Sequence, residues 1–415
     1  MLKNERVVVL SGKQSHAILT KNLKSLGFYV ILIDKYETSF AKEFADEHIL
    51  VDPFDYDAVK KVVEAKRPDR IVTIAIEKTF RVASRISQEF GMPFPYTFDD
   101  ILNFTEKNRM KSIFSSKDIP SARHQIVSSF DDFSSNLGLP LVVKPVDSCG
   151  SQGVSKVDSS ADLKTAIDYA ISKSISGKAV VEEFVSGDEV QVDCFVQNGQ
   201  AHVIMAKEKL KFEKDVISSQ VGSLTHPTSS LDDYSQYQRV AEQIAEAFHI
   251  TDGIFFYQAI SHSGKLSVIE IGVRLGGGWS YKMIKLITGF DYPLAAMNAQ
   301  LGIPTQMNQH LPQKYYLTNF FFSKPCVFDH IEGVESLKKD GVIDDYEVIK
   351  PQGSVMDGTL SNPNRIAIYM ISADTKDELL CKMKTAIDSV DIIDVDGNGQ
   401  MNKSIYYSFI ERMKR

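Results

Sequence analysis

A carboxylate, an amide, an arginine and three consecutive glycines fall within residues 253–278, GIFFYQAISHSGKLSVIEIGVRLGGG. Glu270 and the Gln258 amide offer hard oxygens of the kind Mg2+ takes, and Arg274 suits phosphoryl oxygens. Gly276, Gly277 and Gly278 let a ligand approach bare backbone. Two runs rich in β-branched and aromatic residues, 253–260 and 266–271, flank the polar loop Ser261-His262-Ser263-Gly264-Lys265, a pattern that closes a β-hairpin. The hairpin carries Gln258 and Glu270 towards one another and delivers Arg274 to its exit. This is the composition of the metal and phosphoryl end of a nucleotide site.

Other stretches carry phosphate chemistry in weaker form. Residues 141–145 read as a strand ending in Lys144, followed by a small-residue loop with Ser148, Gly150, Ser151 and Gly153. A glycine-bearing loop after a strand-borne lysine turns backbone N–H groups and an ammonium into one space. It is not a Walker loop, and a Ser/Gly loop alone is more often an ordinary turn. Further on, 179–195 reads AVVEEFVSGDEVQVDCF, a buried strand reaching Glu182 and Glu183, a turn, and an alternating strand from Glu189. Taken singly these acids are solvated strand ends. Ser11-Gly12-Lys13 follows the first strand, but the Gly-x-Gly-x-x-Gly dinucleotide fingerprint is absent. His226 stands in a polar run and reads as a loop residue.

The elements that must position these groups begin with alternating strand and helix patterns. Strands are expected at 7–10, 29–34 and 70–76, with a helix through Leu26 capped by Gly27 and another at 56–66 burying Val59, Val62 and Val63. Such alternation implies a parallel α/β unit. A helix opens at Glu106-Lys107. From Asp118 to about Phe184 the chain turns to short strands, Ser-rich turns and one helix at 162–172. Gln197-Asn198-Gly199-Gln200 is a hairpin turn, 207–215 reads as a charged, mobile segment, and 232–249 as an amphipathic helix. The tail is expected to be compact α+β, with strands at 315–322 and 365–371 and helices at 331–339 and 375–388, the last opening on Thr375 with Glu378 three residues on.

At 415 residues the chain exceeds one ordinary core, and a net charge of -7 argues against nucleic acid as its main partner. No apolar run approaches a membrane span, and Met1 to Arg6 leads into the first strand without a signal-peptide pattern, so a cytoplasmic location is expected. Cys149, Cys194, Cys326 and Cys381 are too scattered for a disulfide framework or a zinc site, and the nine histidines do not pair at metal-ligand spacing.

Taken in order, these motifs resemble the ATP-grasp superfamily of carboxylate-amine ligases, over nearly the whole chain. The shared features are the α/β domain, the Glu-Lys-x-x-Met-Lys entry helix, the strand lysine before proline, the small-residue loop, the acidic hinge with a second Glu seven residues on, and the hairpin ending Glu-x-x-x-Arg. The resemblance implies an α/β architecture. A Rossmann-like pre-ATP-grasp domain spans 1–105, an ATP-grasp domain of two α+β subdomains spans 106–305 with its lid at about 118–184, and a C-terminal α+β subdomain similar to that of biotin carboxylase spans 306–415. It implies ATP and Mg2+ as cofactors. Lys107 and Lys144 then resemble the lysines that neutralise the ATP phosphates, with Lys144 and Arg274 catalytic. The loop of Ser148, Gly150, Ser151 and Gly153 resembles the flap over the phosphates. Glu182, with Glu183 and Val185, resembles the adenine hinge, Glu189 the ribose acceptor, and Glu270 and Gln258 the metal ligands.

Two positions depart from the family pattern, which usually has Glu or Asp at 258 and Asn at 272 where this chain has Gln258 and Gly272. Gly272 with Arg274-Leu275-Gly276-Gly277-Gly278 is similar to the L-amino acid ligase branch. The implied activity is ATP-dependent joining of an amino acid or related carboxylate to an amine through an acyl phosphate, releasing ADP and phosphate. The alternatives are a small-molecule kinase of the same fold and a nucleotide-binding protein without turnover. The expected partners are small-molecule carboxylate and amine, with neither nucleic acid nor membrane, and a homodimer is compatible with this reading.

Overall fold

The computed structural model describes residues 4–134, 136–147, 152–212, 220–228 and 234–414. Val7, Val8, Val9 and Leu10 offer no polar face, so their strand must be covered on both sides. Strand Arg6–Leu10 accordingly lies inside a four-stranded parallel sheet, between Tyr29–Asp34 and Arg70–Val72, with Glu47–Leu50 at the edge. Helices Gln14–Ser25 and Tyr56–Lys66 connect strands of this sheet, and helix Glu77–Phe90 follows its last strand. Of the valines expected on the inner face of the second helix, Val59 and Val63 are buried and Val62 only partly so.

A second, antiparallel sheet of four strands runs His124–Val127, Ala179–Glu183, Leu141–Pro145, Ser155–Val157, and helix Ser160–Ser172 packs on it. The third and largest sheet has eight strands, in the order Lys265–Gly272, Gly253–His262, Asp188–Gln197, Gln200–Leu210, Gly222–Thr225, Tyr315–Phe321, Ala367–Ala373, Asp345–Val348. It runs unbroken across residues 305 and 306, so the α+β tail shares its core with the central sheet. Gly222 makes that junction possible, because a Cβ there would lie 2.2 Å from the Thr318 carbonyl oxygen.

The hairpin of 253–272 is tighter than its sequence implies. Ser263 (φ 45°) and Gly264 (φ 73°) alone make the turn, both in the left-handed region that matches strand twist, so His262 and Lys265 belong to the strands. Asn198 and Gly199 do the same for the neighbouring hairpin. Gln258 faces Glu270 across the ladder, with a register shift immediately after it. Such irregularities re-aim side chains at sheet edges.

Two expectations fail. Residues 207–210 are not mobile but end strand Gln200–Leu210 in the sheet interior, where Lys207 is buried because it has a partner, Asp193. Residues 326–332 form a strand, leaving only Val334–Lys339 as helix; the Gly333 N-cap, in a left-handed conformation (φ 83°), separates the two.

The parallel sheet is fastened to the rest at one corner. Gln300, on helix Tyr292–Leu301, accepts from Thr73 N–H (3.1 Å) and donates to the Thr73 carbonyl (2.7 Å), while Leu275 N–H donates to the Ile74 carbonyl (2.8 Å). The segment after strand Arg70–Val72 is thereby held against the residue following Arg274. Gln300→Leu would strip both partners from buried backbone groups at roughly 1–3 kcal/mol each. Its urea unfolding midpoint is expected to fall by the equivalent of about 2–6 kcal/mol, and an unchanged midpoint would show that the corner is not held there.

Candidate active site

A cleft of about 740 Å³ lies between the four-stranded antiparallel sheet and the central sheet, lined by both lysine-bearing elements, the acidic stretch 182–189 and the hairpin. Its upper wall is built around one carboxylate. Glu182 and Lys144 lie on paired strands, and helix Lys107–Ser116 brings Lys111 to the same point. The Glu182 carboxylate is buried with Lys144 Nζ at 2.5 Å and Lys111 Nζ at 2.8 Å. Burial alone would raise its pKa, but the two ammonium groups bring it down to about 2. Burial pushes the Lys111 ammonium the other way, below its ordinary range, against the pull of Glu182. One carboxylate thus serves two buried cations and leaves a local positive excess facing the cleft. Lys107 lies one turn before Lys111, and its backbone N–H donates to the Val146 carbonyl (2.9 Å), tying the helix to the lid strand.

The hinge is more committed than its sequence implies. Glu182 points at the lysines. Glu183 donates its backbone N–H to the Arg123 carbonyl (3.0 Å) and pairs its carboxylate with the Arg123 guanidinium, while Val185 lines the cleft. Glu189 repeats the two-cation pattern. Lys211 Nζ is 2.7 Å from one oxygen and Lys209 donates to the other. Burial raises this carboxyl and the pair of lysines overrides it, again to about 2.

Ser148, Gly150 and Ser151 lie outside the described residues. The far end of their loop is described: Gly153 has φ 75°, and a Cβ there would lie 2.7 Å from Pro145 and 2.9 Å from Lys173. Asp147, at the near end, accepts from Ser174 Oγ and from the N–H groups of Ile175 and Ser176.

At the floor, Glu270 and Gln258 face each other across the hairpin, and both line the cleft. Gln258 Oε1 accepts from Lys209 Nζ (3.2 Å). Gly272 has no side chain because Phe256 fills the space: a Cβ would lie 2.9 Å from the ring. Arg274 lies over the same ring, 5.0 Å from its centroid, and donates to the Leu275 carbonyl (2.9 Å). Among the described residues no group of three or more His, Cys, Asp or Glu could hold a metal ion. The Glu270 oxygens fit Mg2+ completed by phosphate and water.

Sequence reasoning did not single out five residues in or near the cleft. Lys111 belongs to the quoted Glu-Lys-x-x-Met-Lys motif, and its position one turn from Lys107 would have found it. Glu77 opens helix Glu77–Phe90 and reads as an ordinary acidic first-turn residue. The docked corner puts it near Arg274, Glu270 and Lys107, and burial raises its pKa against the pull of Arg274. Lys207 and Asp193 form a buried pair (3.1 Å) beside Gln191, whose amide donates to Asp193 (2.8 Å). Arg365, from the tail, lines the cleft over Phe320 at 4.0 Å. Its Nη2 donates to the Gln220 carbonyl, its buried Nε has no partner, and burial pulls its pKa down to about 10.

Comparison with known proteins accords with this geometry. Residues 137–282 match the ATP-grasp domain family model. The formate-dependent phosphoribosylglycinamide formyltransferase of Histophilus somni is 29% identical over 191 residues, 45% of this chain and 49% of that protein. The chain thus spans about half the length of that relative. The L-arginine-specific L-amino acid ligase of Bacillus subtilis is 23% identical over 364 residues, 84% of this chain and 82% of that protein. Among solved structures, the L-amino acid ligase from Bacillus licheniformis superposes with a TM-score of 0.79 at 18% identity, covering 94% of this chain and 99% of that one. The fold is that of the ATP-grasp enzymes.

Glu182→Gln would leave Lys111 and Lys144 facing each other without a countercharge. Breaking such a buried pair costs about 3–5 kcal/mol, and the loss is expected to shrink at alkaline pH as Lys111, already biased towards neutrality, gives up its proton. In the unaltered protein the Glu182 pKa lies below its ordinary 4.5, so its stabilisation is complete above that value and is lost as pH falls towards 2. Urea titrations of both proteins across pH test both statements; a variant as stable as the parent would exclude the shared carboxylate as a structural keystone.

Proposed function

We propose, for a chain that carries an ATP-grasp domain within an ATP-grasp fold, that it is an ATP-dependent carboxylate-amine ligase. It joins an amino acid or related carboxylate to an amine and releases ADP and phosphate. The observation that carries this reading is the convergence of Lys107, Lys111 and Lys144 from above and Glu270 and Arg274 from below on one cleft. Phosphoryl transfer asks a protein chiefly for position and charge neutralisation, and those are the groups that supply both.

In this mechanism a substrate carboxylate oxygen attacks the γ-phosphorus, the bond to the β-phosphate oxygen breaks, and ADP leaves. The resulting acyl phosphate has a good leaving group. Arg274 pairs with its phosphoryl oxygens, and the lysines hold the departing diphosphate. Mg2+ at Glu270 would neutralise phosphate charge. The amine nitrogen then attacks the acyl carbon, phosphate leaves, and the nitrogen sheds a proton. The released phosphate, itself a base, can take it up.

The substrates are narrowed by Arg365. A guanidinium that lines the cleft with no described carboxylate beside it suits an anionic group on a substrate. An amine that carries its own carboxylate, an amino acid, meets that requirement, and the product is then a dipeptide. The extended match to an L-amino acid ligase supports the same class.

Incubation with ATP, Mg2+ and pooled amino acids, followed by phosphate, ADP and product mass, tests the proposal. Phosphate release that requires two substrates is expected. A stable phosphorylated product from one substrate would make the protein a kinase instead. Glu270→Ala and Arg274→Ala are each expected to lower turnover by about a hundredfold or more, with circular dichroism unchanged. Arg365→Ala is expected to raise KM for the amine about ten- to a hundredfold, the range for losing one charged hydrogen bond. Full turnover in the Glu270 or Arg274 variant would misplace the site.

A further inference from the structure

We propose that the phosphoryl site takes one divalent cation, at Glu270, and that the Lys209 ammonium supplies the second positive charge; the proposal rests on the ATP-dependent reading above. Gln258 and Glu270 look like a pair of metal ligands because they face each other across the hairpin. Their oxygens differ in what they already meet. Gln258 Oε1 accepts from Lys209 Nζ at 3.2 Å, and an ammonium has donors only. That amide oxygen is turned to a positive charge, and a dication bound to it would sit within a few ångströms of Lys209 and be repelled.

Lys209 is not a loose side chain that would swing aside. Glu189 pairs with it, and Lys211 takes the other Glu189 oxygen at 2.7 Å. The carboxylate fixes Lys209 in place while offsetting only one of the two ammonium charges, so the group keeps a net positive charge at the wall it shares with Gln258 and Glu270. An amide at 258 fits this arrangement, since a neutral oxygen orients the ammonium without cancelling it.

Position 272 closes the remaining route to a second metal. A side chain there would begin 2.9 and 3.0 Å from Phe256 ring atoms, and Arg274 lies over that ring. A donor could enter only by displacing the phenyl ring and the guanidinium together. Mg2+ accepts one carboxylate when phosphates and waters complete its octahedron, and Glu270 provides that carboxylate.

The test uses the full chain, Mn2+ in place of Mg2+, and the non-hydrolysable analogue AMPPNP. Electron paramagnetic resonance of free Mn2+ gives the number of ions bound per nucleotide. One is expected for the unaltered protein, and Lys209→Arg should keep that count. Lys209→Met leaves Glu189 paired with Lys211, so the fold should hold by circular dichroism, while AMPPNP affinity should fall about ten- to a hundredfold. Adding Gln258→Glu to Lys209→Met should admit a second Mn2+, a gain that a purely structural role for Lys209 does not predict. Two Mn2+ per nucleotide in the unaltered protein, unchanged affinity in Lys209→Met, or no second ion in the double variant would each overturn the proposal while leaving the ATP reading intact. Failure of the folded protein to bind AMPPNP would instead remove the ATP reading, and this inference with it.

Discussion

The cleft depends on a charge imbalance that is allowed to persist in a partly dry space. Glu182 stands between Lys111 and Lys144, and Glu189 between Lys209 and Lys211. In each case one carboxylate holds two ammonium groups. Without the carboxylate the cations would repel each other in a medium that screens poorly; with a second carboxylate they would be neutralised and indifferent to phosphate. The shared arrangement lies between these limits: folded without a ligand, yet carrying an excess of positive charge that a polyphosphate can satisfy. Both carboxyls titrate near 2, far below the pH at which the protein would meet a nucleotide, so the arrangement does not switch with ordinary pH.

The sheets hold these clusters around one cleft. Lys144 and Glu182 ride on the lid sheet, Glu189 and Lys209 on neighbouring strands of the central sheet, and Gln258 and Glu270 on its edge hairpin. The first domain joins through Thr73 and Ile74, and that short contact sets Glu77 near Arg274. Cleft geometry is therefore sensitive to bonds that involve no catalytic group.

Much of this was legible in the sequence. Hairpin turns announce themselves through Asn-Gly and Ser-Gly pairs, because few residues tolerate left-handed backbone. The parallel unit follows from its unbroken valine run, and the edge hairpin from its alternation and terminal glycines. What escaped was non-local. Lys207 looked like part of a mobile charged segment because its partner, Asp193, lies on another strand, and the pairing that brings them together leaves no trace in local composition. Neither Glu77 nor Arg365 stands out in the sequence, for the same reason: the cleft and its surroundings are assembled from chain segments far apart in sequence, and each is ordinary alone. Glu182 lies on the strand expected of it, but its pairing with Lys111 and Lys144 is not readable in the sequence, since a strand-end acid gives no indication of which lysines face it.

Gly272 shows how one residue type takes its meaning from another. As a sequence feature it is a missing donor, a gap in the family pattern beside Gln258. In the folded chain the gap is filled: Phe256 occupies the volume and Arg274 rests on its face. A ring there gives the guanidinium a flat apolar surface, worth about 0.5–1 kcal/mol at a partly exposed site and more where water is excluded, and it orients the arginine without consuming its donors. The residue absent at 272 and the aromatic present at 256 are thus one feature, in which a possible metal ligand gives way to a better-held cation. Lys209 on Gln258 follows the same logic from the next strands over. At both positions a side-chain cation stands where a coordinating oxygen could have been, so on the proposed reading phosphate binding would depend less on divalent ion than a carboxylate-rich floor would make it.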